Sequence, residues 1–271
     1  MLFRKRHSGK FGVYHVAHRR GVKKSKLKIS IIVLPVFMFL ILAGGIWLSI
    51  KENQAMFMEL FSNSSQQTEE AVAVLQTKEE KEKLLTVVNL QRSLPTDYSL
   101  DLVRLGEIYC DQMIVESLDK MVKAAKQDGV VLMIEKGYIP IDQQNQLYDQ
   151  KVKELMDTKG FTIVKAQAEA EKLIPPGGKS EYQTGLSIKI AAGPDENGKS
   201  FIETNAYKWV TKNCVEYGFV IRYPKAKEDE TGITFDPSYY RYVGVENAKK
   251  MRALDFCLEE YTDYMQMQKG I

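Results

Sequence analysis

The longest apolar run of the chain lies near its N-terminus, at residues 29–50. The segment ISIIVLPVFMFLILAGGIWLSI has no ionisable side chain, and as an α-helix it is about long enough to cross the ~30 Å hydrocarbon layer of a bilayer. A cleaved signal peptide would have a shorter apolar region, of about 7–15 residues, followed by small residues. The sequence LSIKE at 48–52 does not fit such a cleavage site. The pattern therefore predicts one uncleaved transmembrane helix at 29–50.

Beyond this segment the pattern changes twice. Residues 51–83 contain NSSQQTEE and KEEKEK with few large apolar positions, which predicts a polar, partly helical stalk that cannot form a core. From residue 84 to 271 apolar runs alternate with turn signals, which predicts one folded domain.

The domain at 84–271 mixes two periodicities. The strand pattern occurs at 84–90, 130–134, 186–191, 219–222 and 240–243. The helix pattern occurs at 117–129, 142–156, 162–173, 205–217 and 246–264. PPGGKSEYQTG, at 175–185, predicts a loop because paired prolines cannot continue a helix. Since there is no repeated βαβ unit and no glycine fingerprint of a nucleotide-binding fold, we expect an α+β domain.

The charge is divided unevenly along the chain. The net charge is +3, but ten basic residues and no acidic residue precede Ile29. The remainder has 28 Lys and Arg against 35 Asp and Glu, about −7. A basic flank stays on the cytoplasmic side of a membrane span, so residues 1–28 are expected to be a cytoplasmic tail and the domain to be extracytoplasmic. Topology and attraction to anionic lipid account for this tail better than nucleic-acid binding does.

The three cysteines, Cys110, Cys214 and Cys257, do not have the spacing of a zinc ribbon or of a dense disulfide framework. Buried thiols are the expectation. One disulfide with one leftover thiol stays open for a domain outside the cell.

Six stretches of the domain occur in an order and spacing that resemble one enzyme family. They are VNLQRSLPTDY, KGYIPIDQQNQLY, PPGGKSEYQTGLSIKI, YGFVIRYPKAK, TGITFDPSYYRYVG and LEEY, between about residues 84 and 261. They resemble the VanY-like zinc D,D-carboxypeptidases, which remove the terminal D-alanine of peptidoglycan stem peptides. The resemblance implies an α+β fold with a small, mainly antiparallel sheet flanked by helices.

The resemblance also locates a site whose residue types have changed. The family motif S-E-H-x-x-G-x-x-x-D places two zinc ligands at Tyr182 and Lys189. The motif E-P-W-H places the catalytic base at Asp236, one methylene shorter than Glu, and a third ligand at Tyr239. Ile139 stands where the family has an Arg that helps to hold substrate. A catalytic zinc normally has three ligands from His, Asp, Glu or Cys, and the chain's three histidines, His7, His15 and His18, all lie in the N-terminal tail. We therefore expect no metal and no zinc cofactor here.

Other positions that match the family are candidates for contacts to a peptide or, alternatively, only maintain the fold. These are Tyr138, Gln144, Ser180, Gln183 and Arg241. The ammonium group of Lys189 is expected to pair with Asp236, directly or through water, because an unpaired buried charge is costly. In the alternative, Lys189 extends to solvent.

These observations predict a single-pass membrane protein whose domain lacks catalysis and binds or senses a cell-wall peptide or an envelope partner. One alternative is an active D,D-carboxypeptidase with an atypical site. A second is a scaffold or dimerisation module of an envelope complex. The fold alone does not decide among them.

Overall fold

The computed structural model describes residues 14–15 and 78–270. The predicted transmembrane helix at 29–50 and residues 51–77 of the predicted stalk lie outside the described residues. No helix within the described ranges is long and apolar enough to cross a membrane. The last stalk residues are helical, at 78–84, and are named α1.

The described part contains short strands interspersed with helices. The strands are β1 (Tyr14–His15), β2 (Leu102–Leu105), β3 (Ile108–Asp111), β4 (Leu132–Lys136), β5 (Ser187–Ala192), β6 (Phe219–Tyr223) and β7 (Asp236–Tyr242). The helices after α1 are α2 (Gln112–Gln127), α3 (Ile141–Lys159), α4 (Ile163–Glu171), α5 (Asn205–Asn213), α6 (Glu228–Thr231), α7 (Val245–Leu254) and α8 (Leu258–Lys269). A 3₁₀ turn, Glu181–Thr184, precedes β5.

Two antiparallel sheets organise the domain. The larger sheet has the order β4-β5-β7-β6, and the smaller has the order β1-β2-β3. α2 buries Ile114, Leu118, Met121 and Ala125, which lie on one helical face at intervals of three and four residues. The side chains of this face pack together with residues of β5 and β7 in the main hydrophobic core. The prediction of an α+β fold with small antiparallel sheets flanked by helices is confirmed.

The strand predicted at 84–90 is wrong. Val87 and Val88 are buried, which explains the apolar pattern, but their segment has no strand partner. The backbone N–H of Val88 donates to Oε1 of Glu181 at 3.1 Å. The carbonyls of residues 83, 84 and 86 accept from Nη2 of Arg241 at 3.2–3.3 Å. Because side chains satisfy this buried backbone, it needs no neighbouring strand.

Two other predictions about elements need correction. The single helix expected at 246–264 is divided into α7 and α8, because Asp255 adopts the left-handed conformation (φ 54°) that ends a helix. Strands β2 and β3 were not predicted. The feature of the sequence that indicates this hairpin is Gly106, which lies between the two strands with φ 62° and allows a tight turn.

Strand β1 pairs with β2 through Tyr14 opposite Arg104 and His15 opposite Val103. This pairing places residue 14 beside the domain, whereas the charge pattern predicts that residues 1–28 are cytoplasmic. In a chain inserted in a membrane, these two arrangements exclude each other. Labelling of thiols introduced on either side of residues 29–50 distinguishes them.

Candidate functional site

A cavity of about 250 Å³ lies at one end of the larger sheet, and we name it the central cavity. Its lining includes the three positions that match the zinc ligands of the family motifs and the one that matches the catalytic base. These residues are Tyr182, Lys189, Tyr239 and Asp236. Ile139, Gln144 and Ser180 also line it. A volume slightly below the 300–1,000 Å³ of typical small-molecule sites suits the end of a peptide.

Strand register brings these positions together. Lys189 on β5 lies directly opposite Tyr239 on β7, and Asp236 at the start of β7 lies opposite Tyr223 on β6. The 3₁₀ turn that begins at Glu181 brings the ring of Tyr182 to the same place. The family motifs therefore identified residues that are neighbours in space.

Aromatic rings fill the space between these strands. The Tyr182 and Tyr239 ring centroids are 4.4 Å apart, and those of Tyr223 and Tyr239 are 4.8 Å apart, near the short end of the range of about 4.5–7 Å for favourable aromatic pairs. Ile139 and Ile233 complete this buried cluster. Burial raises the pKa of Tyr182 and of Tyr239 well above that of a free phenol, so both hydroxyls remain protonated. Within residues 78–270 the Tyr239 hydroxyl has no hydrogen-bond partner.

The direct form of the expected ion pair between Lys189 and Asp236 is wrong, whereas a pair bridged by water stays a prediction. Nζ of Lys189 lies 3.8 Å from Oε2 of Glu135. Oδ1 of Asp236 accepts from the backbone N–H of Ser238 at 2.9 Å and from its hydroxyl at 2.6 Å. Asp236 is therefore held by its own strand start, a local bond typical of Asp. The Lys189 side chain is one-third exposed, between the two arrangements that the sequence left open.

A buried ion network supports the turn that carries Tyr182. The carboxylate of Glu181 contacts Nη1 of Arg241, and its Oε1 lies 3.0 Å from Nε of Arg222. Arg222 also forms a two-point pair with Glu259, with distances of 2.6 and 2.9 Å. Glu181, Arg222 and Arg241 are fully buried. The sequence does not predict this network, although all of its members lie in stretches that resemble the family, namely PPGGKSEYQTGLSIKI, YGFVIRYPKAK, TGITFDPSYYRYVG and LEEY.

The five candidate peptide contacts fall into two groups. Gln144 and Ser180 line the cavity. Tyr138, Gln183 and Arg241 are not among its lining residues. Gln183 accepts from the backbone N–H of Gly178 at 2.7 Å, and Arg241 bonds to Glu181 and to carbonyls of 83–86. For Arg241 these bonds and complete burial replace the expected peptide contact with a structural role.

The three cysteines are free and buried. Burial raises the pKa of Cys110 and Cys257 to about 12 and that of Cys214 to about 11. These thiols are therefore unreactive at neutral pH. Among the described residues, no group of three or more His, Cys, Asp or Glu could hold a metal ion.

Comparison with known proteins defines the class to which this α+β domain and its cavity belong. The family model described as VanY, D-alanyl-D-alanine carboxypeptidase, matches residues 107–245. The chain therefore belongs to the VanY family.

Two relatives and two structures illustrate the similarity. The chain is 37% identical over 185 residues to a D-alanyl-D-alanine carboxypeptidase of Enterococcus faecalis, covering 68% of this chain and 67% of that protein. It is 34% identical to the putative carboxypeptidase YodJ of Bacillus subtilis, covering 69% and 70%. Among solved structures, a mutant of the vancomycin-resistance D,D-pentapeptidase VanY in complex with Zn(II) superposes with a TM-score of 0.62 at 36% identity, covering 67% of this chain and 99% of that one. VanYB in complex with D-alanine-D-alanine gives 0.61 at 37% identity, covering 66% and 97%.

Proposed function

We propose that this protein is a membrane-anchored member of the VanY family that binds a cell-wall peptide without hydrolysing it. The observation that carries the proposal is the set of side chains at the aligned ligand positions. Tyr182, Lys189 and Tyr239 replace the three groups that hold zinc in the family pattern, and all three line one cavity.

These donors do not fit a zinc ion. A neutral phenol is a weak ligand, and burial makes deprotonation of Tyr182 and Tyr239 still harder. The ammonium of Lys189 repels a cation. Asp236 and the nearby Glu135 provide two carboxylates, but catalytic zinc sites normally use three protein ligands, and the sequence has no histidine after His18.

The ligand class is proposed from the relatives and from the retained cavity. The Enterococcus faecalis relative is a D-alanyl-D-alanine carboxypeptidase, and the VanYB structure holds D-alanine-D-alanine. In this chain the cavity persists although its ligand positions have changed. In the described part of the chain, polar atoms of Gln144 and Tyr239 at its wall lack hydrogen-bond partners, and a bound peptide would supply them.

The first test measures hydrolysis and metal content together. The full-length protein, purified in detergent with and without added zinc, is incubated with N-acetyl-lysyl-D-alanyl-D-alanine. We expect no release of D-alanine above the protein-free rate and far less than one zinc per chain by mass spectrometry, because the donor set lacks adequate ligands. Turnover that a chelator abolishes would instead establish the alternative function, an active carboxypeptidase.

A scaffold role is separated from peptide binding by titration. If the protein binds no acylated D-alanyl peptide at millimolar concentration, the domain serves as a scaffold or dimerisation module of an envelope complex.

We further propose that residues 29–50 anchor the protein in the cell membrane, with 1–28 cytoplasmic and 84–271 extracytoplasmic. The segment has 14 Leu, Ile, Val and Phe residues, each favouring insertion by about 0.3–0.6 kcal/mol, in total about 4–8 kcal/mol. The pairing of β1 with β2 covers only two residues. Each hydrogen bond of this pairing contributes about 1 kcal/mol net. The free energy of membrane insertion therefore exceeds that of the strand pairing.

Labelling with a membrane-impermeant maleimide tests this topology. The variants Ser8→Cys and Ser64→Cys place a thiol on either side of the apolar segment, while the native thiols are buried and so give little background. On intact cells we expect labelling of Ser64→Cys and none of Ser8→Cys until the cells are permeabilised. Equal labelling of both variants on intact cells would exclude the proposed topology and favour the β1–β2 pairing.

A further inference from the structure

Two lysines face one another at the wall of the central cavity. Lys136 at the end of β4 lies opposite Lys189 of β5. Residues directly opposite in an antiparallel pair share one face of the sheet, and like charges there destabilise it. Both lysines line the cavity. The fold therefore places two positively charged side chains side by side here, of which Lys136 is the more exposed.

The carboxylates nearby neutralise this pair only in part. The Lys189–Glu135 distance of 3.8 Å is too long for a direct hydrogen bond, and Glu135 is about half exposed. Asp236 is engaged by Ser238. Within residues 78–270, Lys136 forms no ion pair closer than 4.0 Å. An anion entering the cavity would relieve the repulsion between the two lysines.

A buried acceptor lines the same cavity. The side-chain amide of Gln144 donates to the carbonyl of Pro175 at 2.6 Å, which fixes its orientation. Its Oε1 has no hydrogen-bond partner among the residues that the structure describes, and the residue is 2% exposed. A buried polar atom without a partner costs about 1–3 kcal/mol, and a ligand N–H would satisfy it. Cationic groups and an N–H acceptor together match a peptide that ends in a carboxylate.

We propose that Lys189 and Lys136 bind the terminal carboxylate of a peptide that has already lost one residue, so that the cavity recognises the product of a D,D-carboxypeptidase in preference to its substrate. This inference rests on the proposed function. Hydrolysis of the last amide bond adds water to the scissile carbonyl carbon and breaks the C–N bond. Both protons of the water end on the leaving amine, and a carboxylate is left on the shortened peptide.

The chemistry of an ammonium group decides which of the two peptides is favoured. A charge-assisted bond to a carboxylate is roughly twice as strong as a bond between neutral groups. An ammonium near the former metal position therefore favours the new carboxylate of the shortened peptide over the neutral amide carbonyl of the longer one. The replacement of the family's Arg by Ile139 also favours the shortened peptide. Ile139, buried in the cavity wall, offers an alkyl surface where the family pattern has an Arg.

The experiment compares three peptides by calorimetry on the full-length protein in detergent. They are N-acetyl-lysyl-D-alanine, its C-terminal amide, and N-acetyl-lysyl-D-alanyl-D-alanine. We expect the shorter acid to bind at least about tenfold more tightly than either of the others. Lys189→Met should remove this preference and Lys136→Met should reduce it. The control Lys250→Met, at an exposed lysine on α7 that pairs with Glu246, should leave it unchanged.

Each other outcome overturns a defined part. Tighter binding of the longer peptide, or equal binding of acid and amide, refutes the carboxylate site while peptide binding itself stands. Absence of binding by all three peptides refutes both the inference and the proposed function. A preference that survives in Lys189→Met, with an unchanged melting temperature, would refute the role of that lysine.

Discussion

A chain with Tyr182→His, Lys189→Asp and Tyr239→His will bind about one zinc ion per molecule, whereas the native protein will bind almost none. Lys189 lies opposite Tyr239 in the β5–β7 ladder, and the rings of Tyr182 and Tyr239 are 4.4 Å apart between centroids. Two imidazoles and a carboxylate at these positions would converge on one point and leave a fourth position open, as catalytic zinc requires. Metal content after dialysis and calorimetric titration measure the change.

A matched control isolates the ammonium group. The double variant Tyr182→His, Tyr239→His keeps Lys189 and is expected to bind zinc much more weakly than the triple variant, because the ammonium repels the ion. If a folded triple variant binds no zinc, the backbone itself has lost the geometry of the site and the changed side chains are not the cause.

Hydrolysis should need one more change. Asp236 is one methylene shorter than Glu, and a displacement of about 1 Å can reduce a rate by about 100-fold. We expect Asp236→Glu in the triple variant to raise D-alanine release by about this factor. The assay is the one used for the native protein.

The second large effect concerns stability. Glu259→Gln will reduce the free energy of unfolding by about 3–5 kcal/mol, because it removes a charge from the two-point pair with the fully buried Arg222. Of the counter-charges in the described residues, Arg222 would keep Glu181. Urea unfolding followed by the fluorescence of Trp209, whose indole N–H donates to Asp128 at 2.7 Å, measures the loss.

The neighbouring exposed pair provides the control on the same helix. Asp263 pairs with Arg92 at 2.9 Å, but both side chains are nearly half exposed. Exposed pairs contribute about 0–1 kcal/mol, so Asp263→Asn should change the unfolding free energy by no more than that. Similar small losses for both variants would show that the buried network does not stabilise the domain.

The buried pair of Glu259 and Arg222 also predicts that the stability of the domain depends on pH. Burial, the largest single effect, would raise the pKa of Glu259, but the charge and hydrogen bonds of Arg222 together with the hydrogen bond from Asn89 lower the pKa below that of an ordinary Glu. The stabilisation is therefore complete above the unfolded-state pKa of about 4.3 and decreases as the pH falls below it. The Glu259→Gln variant should lose less stability than the native protein over this acidic range.

The order of elements was largely visible in the sequence. The helix at 117–129 and the strand at 219–222 were predicted from periodicity alone, and the structure places α2 at Gln112–Gln127 and β6 at Phe219–Tyr223. The segment 84–90 misled the same reasoning. Its valines are buried as a strand's would be, but its backbone bonds go to Glu181 and Arg241, 93 and more residues away in sequence.

The site shows the same division between what was visible and what was not. The motif spacing identified Tyr182, Lys189, Asp236 and Tyr239, and all four line one cavity. Their partners could not be read from the sequence. Asp236 bonds to Ser238 and Lys189 lies near Glu135, because each charged group takes the nearest partner that its strand position allows.

The sequence by itself determined the types of side chain available, including the absence of any histidine after His18, and the local periodicities that define helices and strands. Only the tertiary structure decided which charges meet. It turned Arg241 from a candidate ligand contact into part of the buried support, and it set Lys136 opposite Lys189. The physical reason is that periodicity depends on neighbours a few residues away, whereas ion pairing depends on strand register and burial between segments far apart in the chain.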